Sequence, residues 1–253
     1  MFYTYKALLI SHIAIGFASL VFFWIPVFAK KGSDFHTRSG HWYAKTMYAV
    51  GFSALALSLM LMVDPIGFKF NNHEFSDEEL PKVVSSVKDT GIFLLAISVL
   101  VLVGVRHGLQ TIQAKKNHQQ MRRWDNLSIN FLLLSVGVWL GFIATGNSPM
   151  SVLFYVFAFI CVITSVGNLR FCFKQNVKRT EQIIAHLSSI IGAGIGSHTA
   201  FFVFGASRVF AELLTGYVAI VPWVLPAVIG NVIIWQQAKR YKPRKTARQV
   251  AKV

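Results

Sequence analysis

Seven separate apolar stretches, each long enough to cross a lipid bilayer, dominate this chain of 253 residues. A helix needs about 20 predominantly apolar residues to span the hydrocarbon core. Charged residues make up only 14% of the sequence, whereas a soluble domain carries about a quarter. The sequence therefore predicts an all-α, polytopic membrane helix bundle. Its seven transmembrane helices are expected near residues 7–29, 45–63, 91–109, 127–145, 151–169, 183–204 and 216–236.

The basic residues are distributed unevenly between the connecting segments. With the amino terminus outside, 20 of the 25 Lys and Arg residues fall on the cytoplasmic side, where membrane proteins retain positive charge. This asymmetry predicts an N-out, C-in topology in a bacterial inner (plasma) membrane. The predicted domains are a seven-helix transmembrane domain over 1–238 and a basic cytoplasmic tail over 239–253. The lipid bilayer is the expected partner, with anionic lipids at the cytoplasmic face binding the tail.

Two other interpretations agree less well with the sequence. A net charge of +15 would suggest nucleic acid as the partner of a soluble protein, but cytoplasmic retention of positive charge already explains it. Residues 27–29 (Val-Phe-Ala) resemble a signal-peptidase site. The apolar run before them exceeds the usual length of the apolar core (h-region) of a signal peptide, and cleavage would reverse the charge asymmetry of every later loop. We therefore expect a retained first helix and no nucleic-acid partner.

Two local patterns predict further structure. In the longest outer loop, residues 65–90, Ser76 and Glu79 have the spacing of a capping box. This spacing predicts a short amphipathic helix on the outer surface, with a lid over a cavity as the alternative. In the sixth span, small residues recur at every fourth position, which favours close helix packing but would also leave room for a flat cofactor or lipid. These residues are Ser188, Gly192, Gly196 and Ala200, with Gly194 beside them.

Histidines are the titratable residues that lie deepest in the predicted spans, where polar groups are functional candidates because hydrocarbon penalises their burial. At 1.5 Å per residue, His12 and His198 lie roughly 6–9 Å outside the midplane. His107 and His186 lie roughly 10–12 Å inside it. Two layers of paired imidazoles could ligate b-type haem. One metal or quinone site and purely structural histidines are the alternatives.

The spacing of the two histidines in the sixth span complicates the haem hypothesis. His186 and His198 are twelve residues apart, which places them about 120° apart around a straight helix. A tilted helix could still present them along one ridge. That ridge consists of His186, Ile190, Gly194 and His198.

A second candidate site precedes the second span. His36, Arg38 and His41 could together bind a phosphate or an anionic headgroup, with Tyr43 beside them. Gly40 would permit a tight turn before the helix. The alternative is an interfacial anchor that carries retained positive charge.

The same segment resembles the signature of a bacterial family of predicted multi-pass membrane proteins of unknown function. The resemblance rests on His36-x-Arg38-x-Gly40-x-x-Tyr43 after the first helix, on His186-Leu-Ser-Ser with Gly192 in the sixth span, and on Trp223-Val-Leu225-Pro226 in the last. It implies the same topology and points to His36, Arg38, Tyr43 and His186, but it implies no activity.

Three functions are consistent with these observations. The first is a redox-associated protein that holds haem b, a metal or a quinone through its intramembrane histidines. The second is a transporter or lipid-handling protein, and the third is an assembly or scaffold subunit with membrane-protein partners. The P-loop, the nucleophile elbow and the HExxH zinc motif are absent from the sequence, so whether the chain is an enzyme stays open.

Overall fold

The computed structural model describes residues 1–71, 73–146, 148–205 and 216–241. Within these ranges the chain forms eight α-helices and no strand. A 3-10 turn (His118–Arg122) precedes α5, a π-helical turn (Phe201–Gly205) follows α7, and a 3-10 turn (Gly216–Ile220) leads into α8. The helices are α1 (Phe2–Phe28), α2 (Asp34–Val63), α3 (Pro65–Lys69), α4 (Leu80–Gln113), α5 (Trp124–Ile143), α6 (Ser151–Phe173), α7 (Arg179–Ala200) and α8 (Val221–Tyr241).

Seven of these helices, all except α3, are long and apolar enough to cross a membrane. The prediction of an all-helical, multi-pass membrane protein is therefore confirmed. Which end of the bundle faces the cytosol stays a prediction from the charge asymmetry. In the predicted basic tail, α8 continues through Tyr241, and residues 242–253 lie outside the described residues.

Helix α4 lies at the centre of the bundle. In its most apolar stretch 72% of the residues are buried, against 11% in α1 and in α8. It packs against α2, α5 and α7, while α1 packs on α2, α6 on α5, and α8 on α7. Helices α1 and α8 are therefore peripheral, and both contact α7.

Glycines of α4 allow its close contact with α7. A Cβ atom on Gly104 would lie 3.1 Å from both the Ser189 carbonyl oxygen and the Ala193 Cβ. A Cβ on Gly108 would lie 2.8 Å from Ile190 Cγ1. In the predicted small-residue stripe of α7, Gly192 has no neighbouring atom within 4 Å, but a Cβ on Gly196 would lie 3.3 Å from Val101 Cγ2 of α4, and one on Gly194 would meet the Phe23 ring of α1. The close approach thus depends on small residues of both helices, and the sequence pattern indicated only those of α7.

Replacing Gly104 with valine is expected to reduce the free energy of unfolding by about 1–3 kcal/mol, the usual effect of overpacking. The new side chain would meet the Ser189 carbonyl, a backbone atom that cannot rotate away. Thermal unfolding of the detergent-solubilised protein measures the effect. Gly192→Val is the matched control, since it places the same side chain on a helical glycine that has open space around it. Equal losses in both variants would contradict this account of the α4–α7 contact.

The outer loop differs from its prediction. The Ser76 and Glu79 capping pair is present, with the Ser76 hydroxyl donating to Glu79 Oε2 at 3.0 Å. The helix that it starts, however, is α4 itself rather than a separate surface helix. The first turns of α4 are packed on α2, since Val87 is buried and Gly91 lies against the Ser58 carbonyl. The one short helix of this loop is α3, at the other end of it.

The second transmembrane helix begins eleven residues earlier than predicted, at Asp34. Gly40 is therefore an ordinary helical residue, and the predicted turn at this position is wrong. The turn lies at Gly32, whose φ of +80° suits glycine. Ser33 then caps the helix, accepting a hydrogen bond from the His36 backbone N–H at 3.2 Å. This shift places the whole segment from His36 to Tyr43 on α2.

Candidate functional site

A cavity of about 450 Å³ lies between α1, α2, α4, α7 and α8, at the end of the bundle where α1 ends and α2 begins. This volume falls within the usual range for small-molecule sites, about 300–1,000 Å³. We call it the cationic cavity. Its principal polar lining residues are Lys31, His36, His41, Tyr43, Arg179 and His186. Its deeper walls are apolar and include Phe23, Val27, Leu109, Leu187, Ile190 and Ile233.

The charged groups of this cavity all have the same sign. Lys31 and Arg179 line it, and none of the described residues around it is Asp or Glu. Burial, and to a smaller extent the positive charge of Arg240, lowers the pKa of Lys31 from its ordinary value. Positive charges held together without an acidic partner favour the binding of an anion.

The end of α1 holds two of these side chains in place. The Lys31 ammonium donates to the carbonyl oxygens of Pro26 at 2.8 Å and Val27 at 2.5 Å. The His36 imidazole donates from Nδ1 to the same Pro26 oxygen at 3.1 Å. The last carbonyls of a helix lack partners within the helix, so the turn between α1 and α2 satisfies them with the two residues that line the cavity.

His186 is positioned by the central helix. Its Nδ1 donates to the Gly108 carbonyl oxygen of α4 at 2.8 Å. The absence of a side chain at residue 108 permits this close approach, because a Cβ there would lie 2.8 Å from Ile190 Cγ1 and 3.3 Å from the backbone oxygen of His186. His186 also lies within electrostatic reach of His36, Arg179 and Lys31. The structure thus brings together residues that are 155 positions apart in the chain, from Lys31 to His186.

Tyr43 is the most deeply buried polar residue of the cavity. Its side chain is 1% exposed, and its ring packs on Phe23 with 5.5 Å between centroids. Among the described residues, its hydroxyl has no hydrogen-bond partner. A buried hydroxyl left unpaired is destabilising by about 1–3 kcal/mol. Tyr43 thus lines the cavity, and its buried hydroxyl is a donor that no described residue uses.

Three of the four residues predicted to bind an anion line this cavity: His36, His41 and Tyr43. Arg38 does not line it and is exposed. On a helix Tyr43, seven positions after His36, shares its face, whereas Arg38, two positions after it, points about 200° away. The helical conformation of this segment therefore separates Arg38 from His36 and Tyr43.

The rings of each predicted haem-ligand pair contact different neighbours in the structure. His107 packs against Phe171 of α6 with 5.8 Å between ring centroids, whereas His186 lies at the α4–α7 contact. His12 hydrogen bonds through Nδ1 to Ser53 Oγ of α2 at 2.8 Å. His198 instead packs on Phe23, which is eleven residues, or about 17 Å of helix, beyond His12 in α1. In the described part of the chain no group of three or more His, Cys, Asp and Glu side chains could hold a metal ion.

The ridge on α7 is nevertheless a structural feature of the site. His186 and Ile190 line the cationic cavity. Gly194 and His198 line a second cavity of about 210 Å³, which we call the apolar pocket. Both cavities thus lie along one face of α7, between α1 and α8.

Sequence reasoning missed Lys31 and Arg179 as site residues. Both were counted only as retained positive charges of cytoplasmic segments. The run Gly32-Ser33-Asp34 has a turn glycine, a helix cap and an acidic first residue, so it predicts that the second helix begins at Asp34. That start would have placed Lys31 in the turn next to the His36 segment. No local pattern connects Arg179 with α2, because that contact exists only in the folded bundle.

Comparison with family models, with curated proteins and with solved structures finds no match. The family resemblance of the His36–Tyr43 segment therefore stays a prediction, and functional inference rests on the geometry of the cationic cavity.

Proposed function

We propose that this multi-pass membrane protein is a lipid-handling protein that binds an anionic amphiphile in the cationic cavity. The best chemical match is a lipid with a phosphate monoester headgroup. With the predicted N-out, C-in orientation, the headgroup would lie at the cytoplasmic face of a bacterial inner membrane.

The charge and donor pattern supports a phosphate headgroup. A guanidinium donates in a planar fork that matches phosphate oxygens, and an ammonium adds a second positive charge. Arg179 and Lys31 supply these two groups. Hydrogen bonds between such charged groups are roughly twice as strong as neutral ones.

The walls support an amphiphile rather than a free ion. Beyond the basic residues, the cavity is lined by aliphatic and aromatic side chains such as Leu109, Leu187 and Ile233. An inorganic anion would leave this apolar surface without contacts, whereas the upper part of a hydrocarbon chain would cover it.

The single observation that carries the proposal is the Tyr43 hydroxyl, which is buried and unpaired in a cavity with two cations. Because this hydroxyl has almost no exposed area, a phosphate oxygen would accept its hydrogen bond after a small movement of the side chains that separate it from the cavity. If the cavity were only a packing defect, the presence of two positive charges beside this hydroxyl would have no explanation.

Native mass spectrometry of the delipidated, detergent-solubilised protein tests this function. Hexadecyl phosphate is expected to bind at one site with a Kd at least about tenfold lower than that of hexadecylphosphocholine, whose headgroup has no net charge. Inorganic phosphate distinguishes a lipid headgroup from a free phosphate ion, because it carries the same charged group without a chain. It is expected to compete only weakly with hexadecyl phosphate. Equal binding of the two amphiphiles would contradict the proposal, and so would tight binding of inorganic phosphate alone.

A redox role is the second candidate, now limited to a quinone. One observation favours it: the Tyr43 hydroxyl could donate to a quinone carbonyl as well as to a phosphate. The paired-imidazole haem site is favoured less, because the rings of each predicted pair contact different neighbours. A quinone that binds more tightly than hexadecyl phosphate, with its ultraviolet absorption in the purified protein, would favour this candidate and contradict the first.

A further inference from the structure

The cationic cavity and the apolar pocket adjoin each other. Phe23 of α1 and Ile233 of α8 line both of them. The ridge of α7 forms a common floor, with His186 at one end and His198 about 18 Å further along the helix. The two spaces are therefore neighbours, and these two side chains lie between them.

The apolar pocket offers little to a polar group. Among the described residues that line it, polar side-chain atoms occur only on His198 and on the Trp24 indole, and His198 Nδ1 already donates to the Gly194 carbonyl of its own helix at 2.7 Å. The remaining lining is hydrocarbon or aromatic, from Phe23 of α1 to Leu225 and Ile229 of α8. A second headgroup would be poorly solvated there, but an alkyl chain would not.

The pocket also reaches the surface of the bundle that faces lipid. Leu225 and Ile229 are 48% and 40% exposed, although both line the pocket. Helices α1 and α8 are peripheral, and each of them packs on a different neighbour, α2 and α7 respectively. In the part of the chain that the structure describes, the gap between these two helices is therefore open to the side, where lipid would surround a membrane-spanning bundle.

We propose that the apolar pocket holds the hydrocarbon tail of the amphiphile whose headgroup occupies the cationic cavity, and that this tail enters sideways from the bilayer between α1 and α8. The inference rests on the proposed function, since it assumes a headgroup in the cationic cavity. The inference narrows the ligands of the proposed function to amphiphiles whose chain is long enough to extend beyond Phe23 and Ile233.

Filling the apolar pocket tests this inference. Ile229→Trp would place a large ring in a pocket of about 210 Å³. The variant is expected to bind hexadecyl phosphate at least about tenfold more weakly than the unaltered chain, since buried methylenes each contribute about fourfold in affinity. Octyl phosphate has half as many carbons to place in the filled pocket, so its loss of affinity is expected to be several-fold smaller. Native mass spectrometry with both probes measures the two Kd values.

Val228→Trp is the matched control. Val228 neighbours Ile229 on α8 and is 52% exposed, but it does not line the pocket, so both probes should bind as before. Octyl phosphate binding also reports whether Ile229→Trp is folded; if it is not, Leu225→Trp replaces it. Unchanged binding of hexadecyl phosphate to the pocket variant, or an equal loss for both probes, would overturn the tail path. Failure of both probes to bind the unaltered chain would instead remove the proposed function.

Discussion

Arg179→Glu is expected to weaken binding of hexadecyl phosphate by about a hundredfold, while the ligand-free protein becomes no less stable. The substitution removes a charge-assisted hydrogen bond, which contributes about 1.5–3 kcal/mol, and it adds repulsion between two anions. A free-energy change of about 3 kcal/mol corresponds to roughly a hundredfold in Kd. Ligand titration by native mass spectrometry measures this change.

The expected stability follows from the position of Arg179 in its helix. It is the first residue of α7, where the helix dipole disfavours a cation and favours an anion by about 0.3–1 kcal/mol. A glutamate there should therefore maintain or slightly raise the unfolding temperature. Binding of an anion would explain why Arg179 occupies a helix position that disfavours positive charge.

Lys178→Glu is the matched control for this variant. Lys178 precedes Arg179, and it does not line the cationic cavity. Its reversal changes the net charge of the protein by the same amount. If both variants lost affinity equally, a general electrostatic effect would explain the loss, and Arg179 would not be a site residue.

Tyr43→Phe is expected to have opposite effects on stability and on binding. In the ligand-free protein it removes a buried hydroxyl that has no partner among the described residues. Since such a group is destabilising by about 1–3 kcal/mol, the unfolding temperature should rise. Affinity for hexadecyl phosphate should fall about tenfold or more, because a hydrogen bond to a charged acceptor is lost.

Thermal unfolding with and without hexadecyl phosphate measures both effects in one experiment. Tyr155→Phe is the control, since Tyr155 is 50% exposed on α6, away from the cavity, and neither quantity should change. A Tyr43→Phe protein that is less stable without ligand would show that the hydroxyl has a structural partner. That result would remove the observation on which the proposed function depends.

The membrane-spanning helices were predictable because their signal is local. A run of apolar residues as long as a bilayer is thick is typical of a membrane-spanning helix, and all seven predicted spans correspond to helices of the structure. The ends were less predictable. Helices α2 and α4 begin in polar sequence, at Asp34 and Leu80, because packing and capping extend a helix beyond its apolar part.

The candidate site was predictable only in part, for a related reason. The polarity of His36, His41 and Tyr43 marks them in the sequence, and the structure places all three at one cavity. Depth alone, however, says nothing about the direction in which a histidine points. His107 and His186 were predicted at one depth, yet they contact different helices, and the contact of His186 required a glycine on α4.

The carbonyl contacts of the two cavity histidines determine where each ring keeps its hydrogen. His36 and His186 both give their Nδ1 hydrogen to a main-chain oxygen, so each neutral ring offers only a lone pair, on Nε2. A bound phosphate satisfies that lone pair if it brings a hydrogen of its own. A monoester, with a second pKa near 6, retains one in part of its population at neutral pH, whereas a diester has none. Otherwise the imidazole must itself be protonated, and occupancy of the cavity is then coupled to proton uptake.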